Sequence, residues 1–361
     1  MASRYPGSAV GRTRRLRPHR RPRSPRGPRQ PGPKLRPRRR DCVTNFGLTL
    51  TNRGVVTGDS SLEEMYDLAR RVDEDERFTS VWVGDSITAK PRLDALSLMS
   101  ALAARTERVR IGPGCFATTP VRPAILLAYQ LAAIDVISNG RLTFAACMGA
   151  ADASEFDHFC VPPVTRSGRM EEAIEIVRLL TSEDNASYHG KYNDFDNLTI
   201  EPHSIQRPVP ILIVSNPNPS DARNRERGLR RVARLGGGWM STTLTPELLG
   251  EYLSDIHRYA EEAGRELPDD FDVVAFHSVM IDDDRDAAYA EAKRFLDDYY
   301  FLDHSEAMVR RWCSYGPPEQ AVEDIRRYID AGATSVLLRI CSGDQTTQYQ
   351  RISEEVLPAF I

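Results

Sequence analysis

One stretch of this chain, residues 108–150, limits the possible fold more than any other part of the sequence. It opens with a short apolar run and continues into a segment, 123–137, whose apolar residues recur at the spacing of an α-helix. Asn139 and Gly140 follow, and both residue types tolerate the left-handed conformation that ends a helix. A second apolar run comes directly after them. Two apolar strands joined by a helix predict a right-handed parallel β-α-β unit.

The same alternation extends along most of the chain, and a hydrophobic content of 41% is enough for a sizeable core. The predicted strands are residues 45–51, 80–85, 109–116, 142–147, 209–215, 238–242, 272–281 and 334–340. The predicted helices are residues 62–75, 94–105, 123–137, 168–180, 220–235, 246–264, 286–300, 318–331 and 349–358. Eight short apolar strands alternating with helices predict an α/β fold of the (β/α)8 TIM-barrel type. An open doubly wound sheet is the alternative, but the sequence contains neither GxGxxG nor GxxxxGK, the phosphate-loop motifs that often accompany it.

A polar and aromatic segment, residues 188–208, interrupts the alternation between predicted strands four and five. Its own alternating character predicts an insertion hairpin, with the turn at Asp196 and Asn197. A barrel of this type carries its active site on the loops that follow the carboxyl ends of the strands. The candidate site residues should therefore lie just after each predicted strand.

Asp85 ends the second predicted strand, and an acid at that position is expected either to contact a ligand or to hold Asn52 or Arg53. Trp239 lies in the sixth predicted strand and is expected to pack within the barrel wall. The acidic run 282–284 resembles a metal site in composition, but it leads from a strand into a helix. A solvated helix cap is therefore the favoured interpretation, and no metal site is predicted.

Composition narrows the class of protein further. The six cysteines are scattered and form no CxxC pair, which favours reduced thiols in a cytoplasmic protein over a disulfide framework or a zinc site. No apolar run approaches the roughly 20 residues that a membrane helix needs, so no membrane association is expected. The net charge of −3 hides an asymmetry, because the first 40 residues hold 14 arginines, one lysine and no acid. The rest of the chain is acidic, which argues against a nucleic-acid surface there.

Residues 1–42 are rich in arginine and proline and are predicted to be a disordered arm. The arm could bind nucleic acid or serve as a targeting segment. The favoured alternative is a mis-assigned start of translation, because Val43 directly precedes the first predicted strand and valine codons can serve as bacterial starts. Residues 43–361 are then expected to form a single barrel domain.

Several segments of the chain, in this order, resemble the bacterial luciferase-like monooxygenase family of flavin-dependent (β/α)8 enzymes. They are NFGLTLTNRG, SVWVGDS, ALAARTERVRIGPG, AIDVISNGRLTFAACMGA, GRMEEAIEIVRLL, YHGKYNDFDNLTIEPHSIQRPVPILIVSN and ARLGGGWMST. The resemblance covers roughly residues 44–345. Each motif alone is loose, but their order together is specific.

The resemblance implies a cofactor at the carboxyl end of the barrel, either reduced FMN or, in one branch, the deazaflavin coenzyme F420. Gly114 and Cys115 match the position where members often have a non-proline cis peptide under the ring. Cys147 matches a cysteine that lies beside the ring in bacterial luciferase. Met148 stands where luciferase has an arginine that contacts the phosphate, so that cation is absent here.

The resemblance also implies a place for the cofactor phosphate. Asn216 and Ser220 match polar positions around it, at the start of the helix after predicted strand five. The amino terminus of a helix offers free N–H groups to an anion. Arg223, Arg225 and Arg227 follow in the same helix and could add positive charge.

One position departs from the family pattern. Members of both branches place a catalytic histidine after the acid that ends strand two, and here Ser86 follows Asp85. A serine hydroxyl can donate a hydrogen bond but cannot act as a base near pH 7. His277, in the seventh predicted strand, could point into the barrel mouth and supply a base, although a buried structural histidine is the commoner case. His158 is more simply interpreted as a loop residue.

The function implied first is a two-component monooxygenase that uses reduced FMN, supplied by a separate flavin reductase, and oxygen to oxidise a small organic substrate. The alternative is an F420-dependent oxidoreductase that transfers hydride. A third possibility is a flavin-binding barrel without catalysis, because the histidine after Asp85 is missing. Dimers are usual in the family, so a homodimer is expected. The aromatic segment 299–315 predicts a lid, an apolar substrate pocket or simple helix packing.

Overall fold

Eight parallel strands enclose the centre of the molecule, and the predicted (β/α)8 barrel is confirmed. The computed structural model describes residues 44–149 and 155–360, and the predicted arm, 1–42, lies outside them. The strands, numbered in chain order, are β1 (Asn45–Leu50), β2 (Phe78–Val83), β3 (Arg110–Pro113), β4 (Phe144–Ala146), β5 (Ala186–His189), β6 (Asp194–Leu198), β7 (Ile211–Val214), β8 (Gly238–Ser241), β9 (Asp272–Ile281), β10 (Cys313–Gly316) and β11 (Ser335–Ile340).

The order of hydrogen-bonded strands around the barrel is β3-β2-β1-β11-β9-β8-β7-β4. Two single parallel bridges, Ile111 to Leu142 and Phe116 to Ala146, join the β3 and β4 sides and nearly close the ring. The strands are buried almost throughout, because helices cover the outer face and side chains fill the inside.

Helices connect the strands, and their boundaries follow the sequence pattern to within a few residues. They are α1 (Gly54–Thr57), α2 (Leu62–Glu74), α3 (Ala95–Ala103), α4 (Ala124–Ile137), α5 (Glu155–His158), α6 (Arg166–Ser182), α7 (Ala222–Leu235), α8 (Pro246–Glu262), α9 (Arg285–Tyr300), α10 (Glu306–Trp312), α11 (Pro318–Asp330) and α12 (Gln345–Arg351). Within the described part of the chain, no helix is both long and apolar enough to cross a membrane.

Local chemistry explains where several helices begin and end. Ser61 and Glu64 form a capping box at the start of α2, each accepting a hydrogen bond from the backbone of the other. The Thr245 hydroxyl accepts from the third residue of α8. Asn139 and Gly140 both have positive φ angles, 55° and 79°, and stop α4 as predicted.

The insertion hairpin is present as β5 and β6, but its predicted turn is wrong. The turn occupies residues 190–193, where the Gly190 N–H donates to the Asn193 carbonyl oxygen at 2.8 Å. Asp196 and Asn197 lie inside β6, where the register between the two strands is irregular. Asn197 does take a left-handed conformation, with φ of 53°. Its tolerance of that conformation serves an irregularity within the strand rather than the turn.

Two elements near the carboxyl terminus were not predicted. β10 pairs in parallel with β9, with Cys313 opposite Ser278, and adds a short strand to the sheet outside the barrel ring. α10 precedes it. The closing helix begins at Gln345, earlier than predicted, and passes into a π-helical turn at Ile352–Val356 and a 3-10 turn at Leu357–Phe360.

The core has two layers that position the site. The outer layer lies between strands and helices and includes Trp239, whose predicted packing role is confirmed because it is fully buried and its Nε1–H donates to the Ser215 carbonyl. The inner layer fills the barrel and is called the interior cluster here. Its buried members are Trp82, Ala145, Leu212, Val214, Met240, Val274 and Leu337, with Cys115, Cys147 and Phe276 partly buried against them.

The acidic run 282–284 is a helix cap, as predicted. The Asp284 carboxylate accepts hydrogen bonds from the backbone N–H groups of Asp286 and Ala287, the second and third residues of α9. Asp283 is exposed and pairs with Arg351 at 2.6 Å. These carboxylates therefore already have partners.

Candidate active site

The interior cluster opens to solvent at the carboxyl ends of the strands. Cys115, Cys147, Met148 and Phe276 are half-buried there, whereas the layers below them are closed. A half-buried apolar surface at this end of a (β/α)8 barrel is the usual place for a ligand.

The peptide bond between Gly114 and Cys115 is cis, as the sequence resemblance predicted. The Gly114 N–H donates to the Val83 carbonyl oxygen at 2.8 Å, which fixes the segment against β2. A Cβ atom at Gly114 would lie 3.2 Å from Leu337 Cδ2 and 3.4 Å from Trp82 Cβ. Glycine therefore lets the backbone approach the interior cluster closely at this point.

Cys115 and Cys147 face each other across the end of the β3–β4 seam. Interaction with the Cys147 thiol, together with burial, raises the pKa of Cys115 well above its ordinary value. Interaction with the Cys115 thiol lowers the pKa of Cys147, and the backbone N–H groups of Gly149 and Met148 act in the same direction. Cys147 is therefore the thiol of the pair that ionises more readily.

Asp85 is buried and holds the loop after β3, not the loop after β1. Its carboxylate accepts from the backbone N–H and hydroxyl of Thr118, at 2.8 and 2.7 Å, and Arg122 lies 3.6 Å away. Burial raises the pKa of Asp85, while Thr118 and Arg122 oppose the rise. The predicted contacts with Asn52 and Arg53 are absent; Asn52 instead bonds to the backbone of Gly84.

Ser86 lies beside a buried carboxylate that sequence reasoning missed. Its hydroxyl is 3.4 Å from both carboxylate oxygens of Glu155, and it accepts from the Lys90 N–H at 3.0 Å. Glu155 also accepts from the backbone N–H groups of Ile87 and Thr88, the latter at 2.9 Å. A carboxylate therefore stands at the end of β2, where the family pattern leads one to expect a histidine. The only sequence signal was an acid soon after the fourth strand.

The predicted phosphate positions lie at the end of β7. The Asn216 side chain is half-buried and bonds to Thr242 twice, donating to its hydroxyl at 2.8 Å and accepting from its N–H at 2.7 Å. Ser220 is exposed. Asp221 caps α7 by accepting from the Asn224 N–H, so a carboxylate already occupies the positive end of this helix.

The cations expected near that corner are arranged differently from the prediction. Arg225 pairs with Glu251 at 2.7 Å and Asp255 at 2.6 Å, which turns it toward α8. Arg166, at the start of α6, lies near Met148. Its Nη1 is 3.5 Å from the carbonyl oxygen of Gly149, the residue that follows Met148. Arg166 was not singled out from the sequence.

His277 does not point into the barrel mouth, and this expectation is corrected. Phe276 and Ser278 face inward, so the two-residue period of β9 turns His277 outward. Its Nε2 is 2.7 Å from the Ser314 hydroxyl, and its ring packs 5.1 Å from that of Tyr328. Burial lowers the pKa of His277 to about 4, so it is neutral near pH 7. His158 is exposed at the end of α5.

The aromatic segment divides between two roles. Trp312 and Tyr315 pack with α9 and β10 in a small satellite core, as the packing alternative predicted. Tyr299 and Tyr300 pack against the same core and also accept hydrogen bonds from Arg92 and Arg339, at 2.7 and 2.8 Å. Sequence reasoning had not named these two arginines.

A (β/α)8 barrel with an apolar floor and a ring of polar loop residues at the carboxyl ends of its strands has the architecture of a barrel enzyme. Comparison with known proteins defines it further: the luciferase-like monooxygenase family model matches residues 44–335, and the chain belongs to that family. Its members are oxidoreductases, among them both F420-dependent and FMN-dependent enzymes.

Two curated relatives show how far the similarity extends. An uncharacterized protein of Mycobacterium tuberculosis is 28% identical over 240 residues, which cover 66% of this chain and 79% of the relative. An F420-dependent glucose-6-phosphate dehydrogenase of Amycolatopsis mediterranei is 26% identical over 79% of this chain and 91% of the relative.

Solved structures support the fold. An F420-dependent secondary alcohol dehydrogenase superposes with a TM-score of 0.75 at 18% identity, over 88% of this chain and 99% of the other. The oxygenating component of 3,6-diketocamphane monooxygenase from Pseudomonas putida, in complex with FMN, superposes with a TM-score of 0.64 at 18% identity, over 88% and 98% of the two chains. At these identities the similarity shows a shared fold.

Proposed function

We propose that this protein is an oxidoreductase that holds a flavin-type ring against Gly114, Cys115 and Cys147. The observation that carries the proposal is the half-buried pair of thiols, Cys115 and Cys147, at the open end of an otherwise packed barrel. The surface is apolar and partly exposed, so a flat ring can cover it and gain from its burial.

The residues of this chain suit the predicted position of the flavin ring better than they suit the phosphate position known from luciferase. Met148 offers no charge, and Asp221 places a carboxylate at the start of α7, close to Ser220. Asn216 and Ser220 would hold the phosphate by neutral hydrogen bonds. Arg166 could supply the charge that Met148 lacks, because it contacts the backbone of Gly149.

F420-dependent hydride transfer is the activity that we put first. The curated relatives support it, because the F420-dependent glucose-6-phosphate dehydrogenase matches over most of its own length. When bound, a reduced deazaflavin would supply a hydride, which carries one proton and two electrons to the substrate in a single step. The chain would contribute a dry floor from the interior cluster and an acid–base group, the Glu155 carboxylate, which is hydrogen-bonded to Ser86.

An FMN- and oxygen-dependent monooxygenase is the second candidate, and the packed apolar floor favours it. Oxygen chemistry on a reduced flavin requires a site that excludes water, and the buried members of the interior cluster provide one. This candidate needs a separate flavin reductase as a transient partner. In both candidates the substrate is a small organic molecule, and the free thiols of the described cysteines suit a reducing cytoplasm.

Anaerobic titration followed by absorbance tests the proposal. We expect F420 to bind at least tenfold more tightly than oxidised or reduced FMN, and to be reduced or oxidised by a substrate from an alcohol and sugar-phosphate panel. Tighter binding of reduced FMN, with oxygen consumption on aeration, would establish the second candidate. Binding of either without turnover would indicate a non-catalytic flavin-binding barrel, and no binding of either would refute the proposal.

We also propose a homodimer. Helix α4 is apolar on all sides, and Leu126, Tyr129, Val136 and Ile137 are exposed on its outer face. An apolar stripe of this kind on a surface helix marks a contact surface. Light scattering should give twice the chain mass, and Tyr129→Asp should give the monomer mass if α4 forms the contact.

A further inference from the structure

Arginines from three separate elements converge on one tyrosine at the barrel mouth. Arg53 follows β1, Arg92 follows β2, and Arg339 lies on β11. Their Cζ atoms lie 5.9, 5.2 and 5.2 Å from the centre of the Tyr299 ring. Three guanidinium groups around one ring place several positive charges in a small volume.

The hydrogen bonds of Arg92 and Arg339 end on hydroxyl and backbone carbonyl oxygens. Arg339 also lies near the buried Cys341 thiol, and although burial raises the pKa of that thiol, Cys313 and Arg339 together lower it to about 7. Arg92 donates to the Tyr299 hydroxyl at 2.7 Å. Arg339 donates to the Tyr300 hydroxyl at 2.8 Å and to the Ser278 hydroxyl at 2.9 Å. Among residues 44–149 and 155–360, no carboxylate forms an ion pair with any of the three. The neighbouring Arg122, by contrast, pairs with Asp94 at 2.9 Å.

Arg53 is the member with the fewest partners. It is only 4% exposed, and its Nη1 has no hydrogen-bond partner in the described part of the chain. Its guanidinium lies 4.2 Å from the centre of the Phe301 ring. Burial, and then the charge of Arg92, lower the pKa of Arg53. A buried guanidinium without an acceptor is costly, and an anion would remove that cost.

Tyr299 reports the same excess of positive charge. Burial alone would raise the pKa of this phenol, but Arg92 and Arg339 together lower it. A tyrosine shifted in this direction indicates a local field that favours negative charge.

A cavity of about 640 Å³ adjoins the cluster and is lined in part by Arg53, Tyr299 and Phe301. Its volume suits a small organic ligand. Three of the four acids that line it are paired with cations: Asp298 with Arg294 at 3.1 Å, Asp303 with Lys293 at 2.6 Å, and Asp297 with the same lysine. The fourth, Asp59, is exposed and accepts from the Thr57 hydroxyl, and its charge acts to raise the pKa of Arg53.

The cluster is distant from the predicted phosphate corner. In the order of strands around the barrel, β1 stands four places from β7, which puts the two strands on opposite sides of the barrel. Arg53 follows β1, whereas Asn216 follows β7. A ligand group bound by the arginines would therefore approach the flavin ring from the side opposite to the cofactor phosphate.

We propose that Arg53, Arg92 and Arg339 form an anion subsite that holds a carboxylate or phosphate group of the substrate. The rest of the substrate would extend from Tyr299 toward the ring position or into the cavity. The proposal rests on the proposed function only for the statement that the anion belongs to the substrate.

Calorimetric titration of the full chain with inorganic phosphate and with acetate, at constant ionic strength and without cofactor, tests the subsite. We expect saturable binding of at least one of them, weakened at least tenfold in Arg53→Gln and less in Arg53→Lys, which keeps the charge. Arg294→Gln is the matched control. Arg294 lines the same cavity but is paired with Asp298, so we expect a change of less than twofold. Arg92→Gln gives a second test if Arg53→Gln is unstable.

Several outcomes would overturn the proposal. Wild-type protein that binds neither anion has no such subsite, and equal weakening in Arg53→Gln and Arg294→Gln would show a general charge effect. A rise in the cofactor dissociation constant in proportion to phosphate concentration would show that the anion belongs to the cofactor. If no cofactor binds at all, the proposed function fails, while the phosphate titration still decides whether the subsite exists.

Discussion

The two halves of the barrel mouth differ in charge. The half formed by β3 and β4 presents Cys115 and Cys147, and the described members of the interior cluster around them are uncharged. The half formed by β1, β2 and β11 presents Arg53, Arg92 and Arg339 around tyrosine hydroxyls. A neutral, polarisable floor suits an aromatic ring, whereas a buried positive wall suits an anion. The fold thus separates the two kinds of recognition by strand, within one site.

The largest effect should come from removing charge from the positive half. Arg339→Met leaves the hydroxyls of Tyr300 and Ser278 without their donor in a buried place. We expect a loss of about 3–5 kcal/mol in the free energy of unfolding, measured by urea denaturation, because each of the two buried hydroxyls left without its partner costs about 1–3 kcal/mol. Arg326→Met, at an exposed position on α11, should change it by less than about 0.5 kcal/mol. Equal losses in Arg339→Met and Arg326→Met would mean that the hydrogen bonds of Arg339 do not stabilise the fold.

A pH experiment tests how tightly the outer side of the positive half is packed. His277 lies there, next in the chain to Ser278, which accepts a hydrogen bond from Arg339. The folded pKa of His277, about 4, is below its ordinary value of 6.5, so the unfolded chain binds a proton first as pH falls. Stability is therefore full above pH 6.5 and falls between pH 6.5 and 4, by up to about 3 kcal/mol from this residue.

Unfolding measured at pH 7 and at pH 4.5 checks this expectation, with His277→Gln as the comparison. The variant should lose less stability between the two pH values than the wild type does. An identical loss in both proteins would show that other groups cause the acid sensitivity.

On the neutral half, Cys147→Arg should exclude the ring by its bulk and add a charge beside Cys115. We expect cofactor affinity to fall about a hundredfold, or about 2.7 kcal/mol, measured by absorbance titration. Cys160→Arg is the matched control, because Cys160 is exposed. Unchanged affinity in Cys147→Arg would disprove the position given to the ring.

The smallest effect concerns Glu155, between the two halves. Glu155→Gln keeps the shape but removes the charge that faces Ser86 and the backbone of Thr88. We expect kcat to fall about tenfold with little change in KM, in line with loss of an acid–base group. Asp157→Asn, exposed on the same short helix, should leave kcat unchanged. A change in KM alone would assign Glu155 a structural role.

The sequence predicted where the residues of the neutral half lie in the fold, for a physical reason. Gly114, Cys115 and Cys147 belong to one continuous strand-helix-strand unit, so a local pattern and one family motif were enough to place them. The positive half is assembled from residues on or after β1, β2, α9 and β11. These four elements are distant in the chain, and only the closed barrel brings them together. No spacing in the sequence could show that Arg339 meets Arg92.

His277 shows a second limit. β9 is buried on both faces, so its sequence has no polar alternation that would tell which residues point inward. The neighbouring Phe276 and Ser278 settle the direction only once the register with β11 is known. Glu155 was missed because an acid in a loop is usually exposed, and only the backbone N–H groups of Ile87 and Thr88 explain its burial.

The seam between β3 and β4 has a consequence for stability. Only the two single bridges, at Ile111 and Phe116, join these strands, whereas continuous ladders join the others. Cys115 follows β3 and Cys147 follows β4, so a flavin ring that lies on both thiols would bridge the one joint of the barrel that has no continuous ladder. Ligand binding and resistance to heat would then be linked, and the melting temperature would rise with cofactor concentration.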